Sequence, residues 1–357
     1  MARMSAQRRF RNCILPPHMV DAIKLRGNPQ LQKRMAAMER VAASVRSKRA
    51  TRKLGKWVIA EAVPGASAEK LKPDRRVYDG ENRGSLPGTP ARFEGDLASD
   101  DRIVNQAFNG AGDIFKLLAD VYGRNSVDDQ GMQLVSTVHH RRDYNNAFWD
   151  GEQMAYGDGD GEYFKAFTNS LSVIGHEFSH GVVQFSGGLI YQDQSGALNE
   201  SLADVFGALT VQYKKKQTPA AANWLIGDGI LGPAVNGVAL RSMKAPGTAY
   251  EDDNLGKDPQ PYHYDHYVNT SSDNGGVHIN SGIPNHAFYL FAQYLGGYAW
   301  EKAGLVWYEA LRGINNPHAT FADWAEETMV AARSEFGEKS REALLCRRSW
   351  KLVGIDI

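Results

Sequence analysis

The sequence predicts an α+β fold: a β-rich first half and a mostly helical second half, preceded by a short helical segment. Three observations carry this. Between Trp57 and Gly161, short apolar runs alternate with Gly- and Asp-rich turns. After Phe167 the apolar period lengthens to that of helices. The start of the chain differs in charge: residues 1–56 hold 15 Lys and Arg against two acids, Asp21 and Glu39, whereas the remainder holds 26 against 39. A length of 357 residues suits two ordinary domains with an appendage. The expected divisions are 1–50, a basic helical segment; 51–185, the β-rich part; and 186–357, the helical part.

Within the first segment, "PPHMVDAIKLRG" starts a helix after a proline pair and ends it on Gly27. In "NPQLQKRMAAMERVAASV", Asn28 is a cap and Pro29 the first helical position, with Leu31, Met35, Met38 and Val41 at helical spacing. The polar stretch "RSKRATRKLGK" reads as an exposed linker. "WVIAEAV", "QLVSTVHHRR" and "FWDGEQMAYG" read as strands, and "DDQG" and "GDGDG" as turns. "SDDRIVNQAFNGAGDIFKLLADVYG" is the one helix among them, with Ser99, Asp100 and Asp101 at its start. Helices are expected at 171–186, 197–216, 281–297, 299–313 and 320–336. No internal repeat interrupts this order.

Composition narrows the class. The chain is 42% hydrophobic and 23% charged, the balance of a soluble globular protein, and no run approaches the ~18 apolar residues of a membrane helix. The N-terminus has arginines but no apolar signal core, so no signal peptide is expected; the protein is cytoplasmic or exported by a route the sequence does not display. Two cysteines, Cys13 and Cys346, are too few and too far apart for a disulfide scaffold or a Cys-based zinc site. A basic arm often binds nucleic acid, but this one has an acidic partner in its own chain. Before Trp57 its only aromatic is Phe10, so recognition by base stacking is not expected. A monomer without nucleic-acid or membrane partners is expected.

The chemistry centres on "VIGHEFSHGVVQ". In a helix, His176 and His180 project from one face and present two imidazoles to one ion. Glu177 is turned away by about 100°, outside the ligand set but within reach of water at the ion's open position. Imidazole ligands, tetrahedral geometry and an open position suit zinc, which then needs a third protein ligand. "GALNESLADVFGAL" offers Glu200 on a second helix, 19 residues beyond His180. Asp204, one turn further, is suited to hold the other ring nitrogen of a ligand histidine.

The blocks "HEFSH", "GLIYQDQSGALNESLADVFG", "YNNAFWDGEQMAYGDGDG" and "DNGGVHINSGI" resemble the signatures of the thermolysin-like neutral metallopeptidases, in the same order, over roughly residues 57–357. The His180–Glu200 spacing matches that family, whereas zinc aminopeptidases use one residue fewer. The resemblance implies a two-domain zincin fold, one Zn2+ and a zinc-dependent endopeptidase. It implies that Glu177 is the general base and that His278 and Tyr191 stabilise the oxyanion, with Asp273 orienting His278. Asn146 and Ala147 match the edge strand that pairs with an extended peptide, and Arg241 matches the arginine that binds a substrate carbonyl. Asn199 matches a partner of the second zinc histidine. Phe167, Val173 and Leu240 match the walls of the pocket for the residue after the scissile bond, so a bulky hydrophobic residue is expected there.

Departures carry expectations as well. Ser172 and Val211 stand where the paired calcium site of thermolysin has acids, so a double calcium site is not supported. "DGDG" at 158–161 lacks the later glycine and glutamate of an EF-hand and reads as a turn. The short N-terminal segment with "CILPPHM" resembles the propeptide of protealysin-type precursors, implying a zymogen inhibited by its own propeptide. An apolar plug is preferred over zinc ligation by Cys13 or His18.

Overall fold

The computed structural model describes residues 13–27, 29, 31–33, 35–36 and 71–357. Asn28, Met38, Val41, the basic linker and "WVIAEAV" lie outside the described residues. No helix among the described residues is long and apolar enough to cross a membrane.

The first helix, α1 (Pro17–Arg26), has Pro17 at its first position and stops at Gly27, burying Met19, Val20 and Ile23. The sheet contains β1 (Arg75–Asp79), β2 (Thr89–Phe93), β3 (Leu134–Val138), β4 (Ala147–Trp149) and β5 (Met154–Tyr156), in the order β2-β1-β3-β5-β4. β1, β3 and β5 run parallel, and β2 and β4 are antiparallel edges. The strand expected over "FWDGEQMAYG" is a tight hairpin instead. Asp150 Oδ1 accepts the backbone N–H groups of Glu152 and Gln153 and turns the chain between β4 and β5.

β1 and β2 escaped the sequence reading because their polar residues hide the alternation. Arg75 pairs with Glu94 and lays its guanidinium over the Phe108 ring at 3.9 Å. Behind the sheet runs α2 (Arg102–Tyr122). Its cap is Asp101, whose Oδ1 accepts from Ile103 and Val104, while Ser99 supports the Asp101 N–H. The turn at 158–161 is closed by Asp160, whose Oδ1 accepts from Glu162, Tyr163 and Phe164.

The helical half starts with α3 (Leu171–Gln184) and α4 (Asp193–Lys215), which starts one turn earlier than expected. Both are buried nearly all round, so their polar residues lie in the interior. Their axes come close at Gly175 and Gly207. A Cβ on Gly207 would meet the Ser172 carbonyl oxygen at 2.6 Å, so only glycine permits this approach. Next come two-residue pairs β6 (Leu225–Ile226) with β7 (Arg241–Ser242) and β8 (Glu251–Asp252) with β9 (Gly256–Lys257). Five helices close the chain: α5 (Asp273–Asn280), α6 (Gly282–Leu295), α7 (Lys302–Gly313), α8 (Phe321–Phe336) and α9 (Arg341–Leu352). The last was not expected, because its arginines mask a narrow apolar stripe. Ser340 caps it, Ala343, Cys346 and Trp350 are buried, and Trp350 Nε1 donates to Thr328 Oγ1 at 2.8 Å.

Candidate metal centre

Four elements supply the site: α3 gives His176, Glu177 and His180; α4 gives Asn199, Glu200 and Asp204; β4 and the residue before it give Ala147 and Asn146; α5 gives Asp273 and His278. One ligand atom from each of His176, His180 and Glu200 lies within 4.8 Å of the others, and all three residues are buried. His176 Nε2 is 3.6 Å from Glu200 Oε2, and His180 Nε2 is 3.4 Å from Glu200 Oε1.

The hydrogen bonding shows what belongs between them. His176 Nδ1 meets Asp204 Oδ1 at 2.7 Å, and His180 Nδ1 meets Asn199 Oδ1 at 2.9 Å. Both partners are acceptors, so each Nδ1 donates and Nε2 is the ring nitrogen that each histidine turns towards the cluster. Those two nitrogens face one another at 3.1 Å. Beside them the buried Glu200 Oε2 has no hydrogen-bond partner among the described residues, an arrangement that is costly without a cation. Two imidazole nitrogens and a carboxylate within 4.8 Å of one another are a donor set that fits zinc.

Asp204 anchors the cluster. Besides His176 it accepts from Arg241 Nε and Nη2 at 2.8 and 2.7 Å and from Asn285 Nδ2 at 2.8 Å. Burial would raise its pKa, but the Arg241 guanidinium and His176 outweigh that and hold it well below the usual carboxylate range. Glu177 is fully buried beside this cluster, and its Oε2 accepts the Trp149 backbone N–H at 2.8 Å. Nothing in the sequence signals Trp149, Asn285 or Gln260, which supports the His278 carbonyl at 2.8 Å.

His278 is presented by an irregular turn. Asp273, Asn274, Gly275 and Gly276 all have positive φ, and a Cβ on Gly275 would strike Asp193. The turn lets Asp273 accept both the backbone N–H and Nδ1 of His278, at 2.9 and 2.7 Å. Burial lowers the His278 pKa, but Asp273 and Glu200 overcome it and lift it to about 9, so both ring nitrogens donate. The Tyr191 hydroxyl lies 3.2 Å from His278 Nε2 and donates to Glu200 Oε1. Its phenol stays protonated, because burial and the nearby carboxylates push its pKa well up.

The N-terminal segment lies in this cleft. His278 Nε2 is 3.0 Å from the Cys13 carbonyl, Ile14 N–H donates to Ala147 O at 3.3 Å, Arg241 Nη1 donates to Ile14 O at 3.2 Å, and Leu15 N–H donates to Asn146 Oδ1 at 3.0 Å. His18 Nε2 meets the Tyr250 hydroxyl at 2.9 Å, and burial lowers its pKa to about 4. Neither Cys13 nor His18 joins the three-ligand cluster. Phe167, Val173 and Leu240 are fully buried in the apolar core that includes Ile14.

Residues 75–184 match the family described as thermolysin metallopeptidase, catalytic domain, and 187–355 match its alpha-helical domain. An extracellular metalloprotease of Pectobacterium carotovorum subsp. carotovorum is 47% identical over 293 residues, 81% of this chain and 84% of that protein. Protease PrtS of Photorhabdus sp. (strain Az29) is 48% identical over 286 residues, 79% of this chain and 76% of that protein. Among solved structures, the precursor of protealysin, a metalloproteinase from Serratia proteamaculans, superposes with a TM-score of 0.85 at 42% identity, covering 96% of this chain and 99% of that one.

Proposed function

This chain belongs to the thermolysin metallopeptidases, as a zinc-dependent endopeptidase with a protealysin-type precursor, and on that premise we propose how its residues divide the work. The observation that carries the reading is the buried trio of His176, His180 and Glu200 with Glu177 beside it. The trio holds one zinc, with Asp204 and Asn199 fixing the two imidazoles. Bound there, zinc supplies a Lewis acid that lowers the pKa of water towards about 7 and polarises a carbonyl.

Glu177, oriented by the Trp149 N–H, accepts the proton of the attacking water and hands it to the leaving amine. His278 and Tyr191 donate to the carbonyl oxygen as it gains charge, and Asp273 keeps His278 aimed and protonated. The edge strand at Asn146 and Ala147 pairs with an extended peptide, and Arg241 takes the following carbonyl. Phe167, Val173 and Leu240 line the pocket for the residue after the cut, which favours Leu, Phe, Ile or Val. One methylene there is worth about 1–3 kcal/mol, so the preference is graded.

No paired calcium site is expected. Ser172 Oγ is committed to Gly227 N–H and Ser170 Oγ at 2.9 Å each, and Val211 is apolar. The N-terminal segment is the inhibitor of the zymogen, an expectation supported by its seat in the cleft.

Glu177→Ala tests the mechanism. The variant should retain one zinc per chain by atomic absorption yet lose several orders of magnitude in peptide hydrolysis. Substantial residual turnover would sink the assignment. A peptide-library profile dominated by charged residues after the cut would overturn the pocket.

A further inference from the structure

The four contacts of Cys13, Ile14 and Leu15 have a direction. A segment that merely plugs a cleft can run either way along an edge strand and leave the reacting groups facing side chains. Here the carbonyl of Cys13 meets the His278 donor, the next N–H meets Ala147 O, the next carbonyl meets Arg241, and the next N–H meets Asn146. Donors and acceptors alternate as in a paired strand, and the carbonyl at the oxyanion donor belongs to the same peptide bond as the nitrogen held by Ala147. That strand, two residues on, also orients Glu177 through the Trp149 N–H. The Ile14 side chain is fully buried, and Leu15 is nearly so. We propose that the Cys13–Ile14 bond is itself a substrate of this cleft and is hydrolysed within the same molecule.

The inference rests on the peptidase reading above. In the step, the bond between the Cys13 carbonyl carbon and the Ile14 nitrogen breaks and a bond from the water oxygen to that carbon forms. Glu177 carries the two water protons in turn to the departing nitrogen, so the products are a Cys13 carboxylate and an Ile14 ammonium group. The two halves then differ in what holds them. Beyond Ile14 the chain is anchored by Arg241, Asn146, the His18–Tyr250 contact and the buried face of α1, where Met19, Val20 and Ile23 sink into the core. The new amine therefore stays where it formed and resynthesis competes with release, which makes the cut slow compared with that of a free peptide. It removes residues 1–13 while 14–27 remain docked, a cleavage separate from any in the linker.

The test uses the full-length, zinc-loaded protein. Intact-mass measurement and N-terminal sequencing over time should reveal a chain starting at Ile14. Its first-order rate should be unchanged by dilution, and Glu177→Gln should abolish it, as should Ile14→Asp, which puts a charge in the apolar pocket. In zinc-loaded Glu177→Gln, hydrogen exchange at the Ile14 and Leu15 amides should be slow. Adding Asn146→Ala should speed Leu15 about tenfold, the loss of one hydrogen bond. An external peptide, assayed with protein whose N-terminal segment has been cleaved in the linker and removed, separates the readings. If it is cut while Cys13–Ile14 remains whole, or if the cut at that bond accelerates with protein concentration, this inference alone is overturned. Unprotected Ile14 and Leu15 amides overturn it as well. If neither peptide nor Cys13–Ile14 is cut, the peptidase reading falls with it.

Discussion

Asp204 has the most dependents of any side chain at the site. Its two oxygens receive His176, Arg241 twice and Asn285. Asp204→Asn would put an N–H where an acceptor is needed and leave Arg241 as a buried, unbalanced charge. We expect zinc affinity to fall about 10–100-fold, measured by competition with a chromogenic chelator. His139 gives a second prediction, remote from the metal. Its Nδ1 meets Asp158 at 2.7 Å and its Nε2 meets Asp101 at 2.8 Å, tying the cap of α2 to the 158–161 turn. The Asp158 carboxylate leads the interactions that raise its pKa, against burial, from 6.5 to about 9. A raised folded-state pKa means that the stabilisation is complete below pH 6.5 and is lost as pH rises through 9. After allowance for solvent screening it is on the order of 1 kcal/mol. Urea unfolding between pH 6 and 9 should show that loss, and His139→Gln should flatten it.

At the scale of elements, the approach of α3 to α4 brings His176 alongside Glu200 and Asp204. Gly207→Ala would drive a methyl into the Ser172 carbonyl and against the His176 backbone, at 2.6 and 3.0 Å. Separating the helices should lower stability by about 1–3 kcal/mol and weaken zinc binding together. Thr320→Ala is the contrasting case. Thr320 and Asp323 form a capping box at α8, so its loss should cost about 1 kcal/mol of unfolding free energy with zinc content unchanged. Equal effects of the two variants on zinc would contradict the assignment of the helix approach to the metal site.

For the whole molecule, zinc and the N-terminal segment both bind the folded state. With free zinc at ~1,000 times its dissociation constant, binding adds about 4 kcal/mol, so chelation should lower Tm and make it depend on zinc concentration. The segment contributes through tethering, which keeps even a modest contact near saturation. Residues 1–56 hold 15 basic residues against two acids, and the rest of the chain holds 39 acids against 26 basic residues. Salt should therefore weaken docking and modestly speed activation, read from processing rates at low and high salt. An intact chain, held uncleaved by linker mutations, that is as active as the processed form would refute inhibition.

The sequence by itself determined the features that depend on local spacing. Two histidines four apart share a helix face whatever the tertiary context, and the apolar period distinguishes the strand-rich half from the helical one. Long signature blocks determined the family in the same way, residue by residue. What failed locally did so where polar residues obscured the period, in β1, β2 and α9, and where a turn at Asp150 split one apolar run into β4 and β5. Only the tertiary structure decided which distant groups meet: the Trp149 N–H on Glu177, Asn285 on Asp204, and Cys13 to Leu15 running forward through the cleft. Such contacts depend on the mutual placement of backbones far apart in the chain, and on glycines whose missing Cβ allows close approach. No periodicity encodes that placement, because it is set by how whole helices and strands pack.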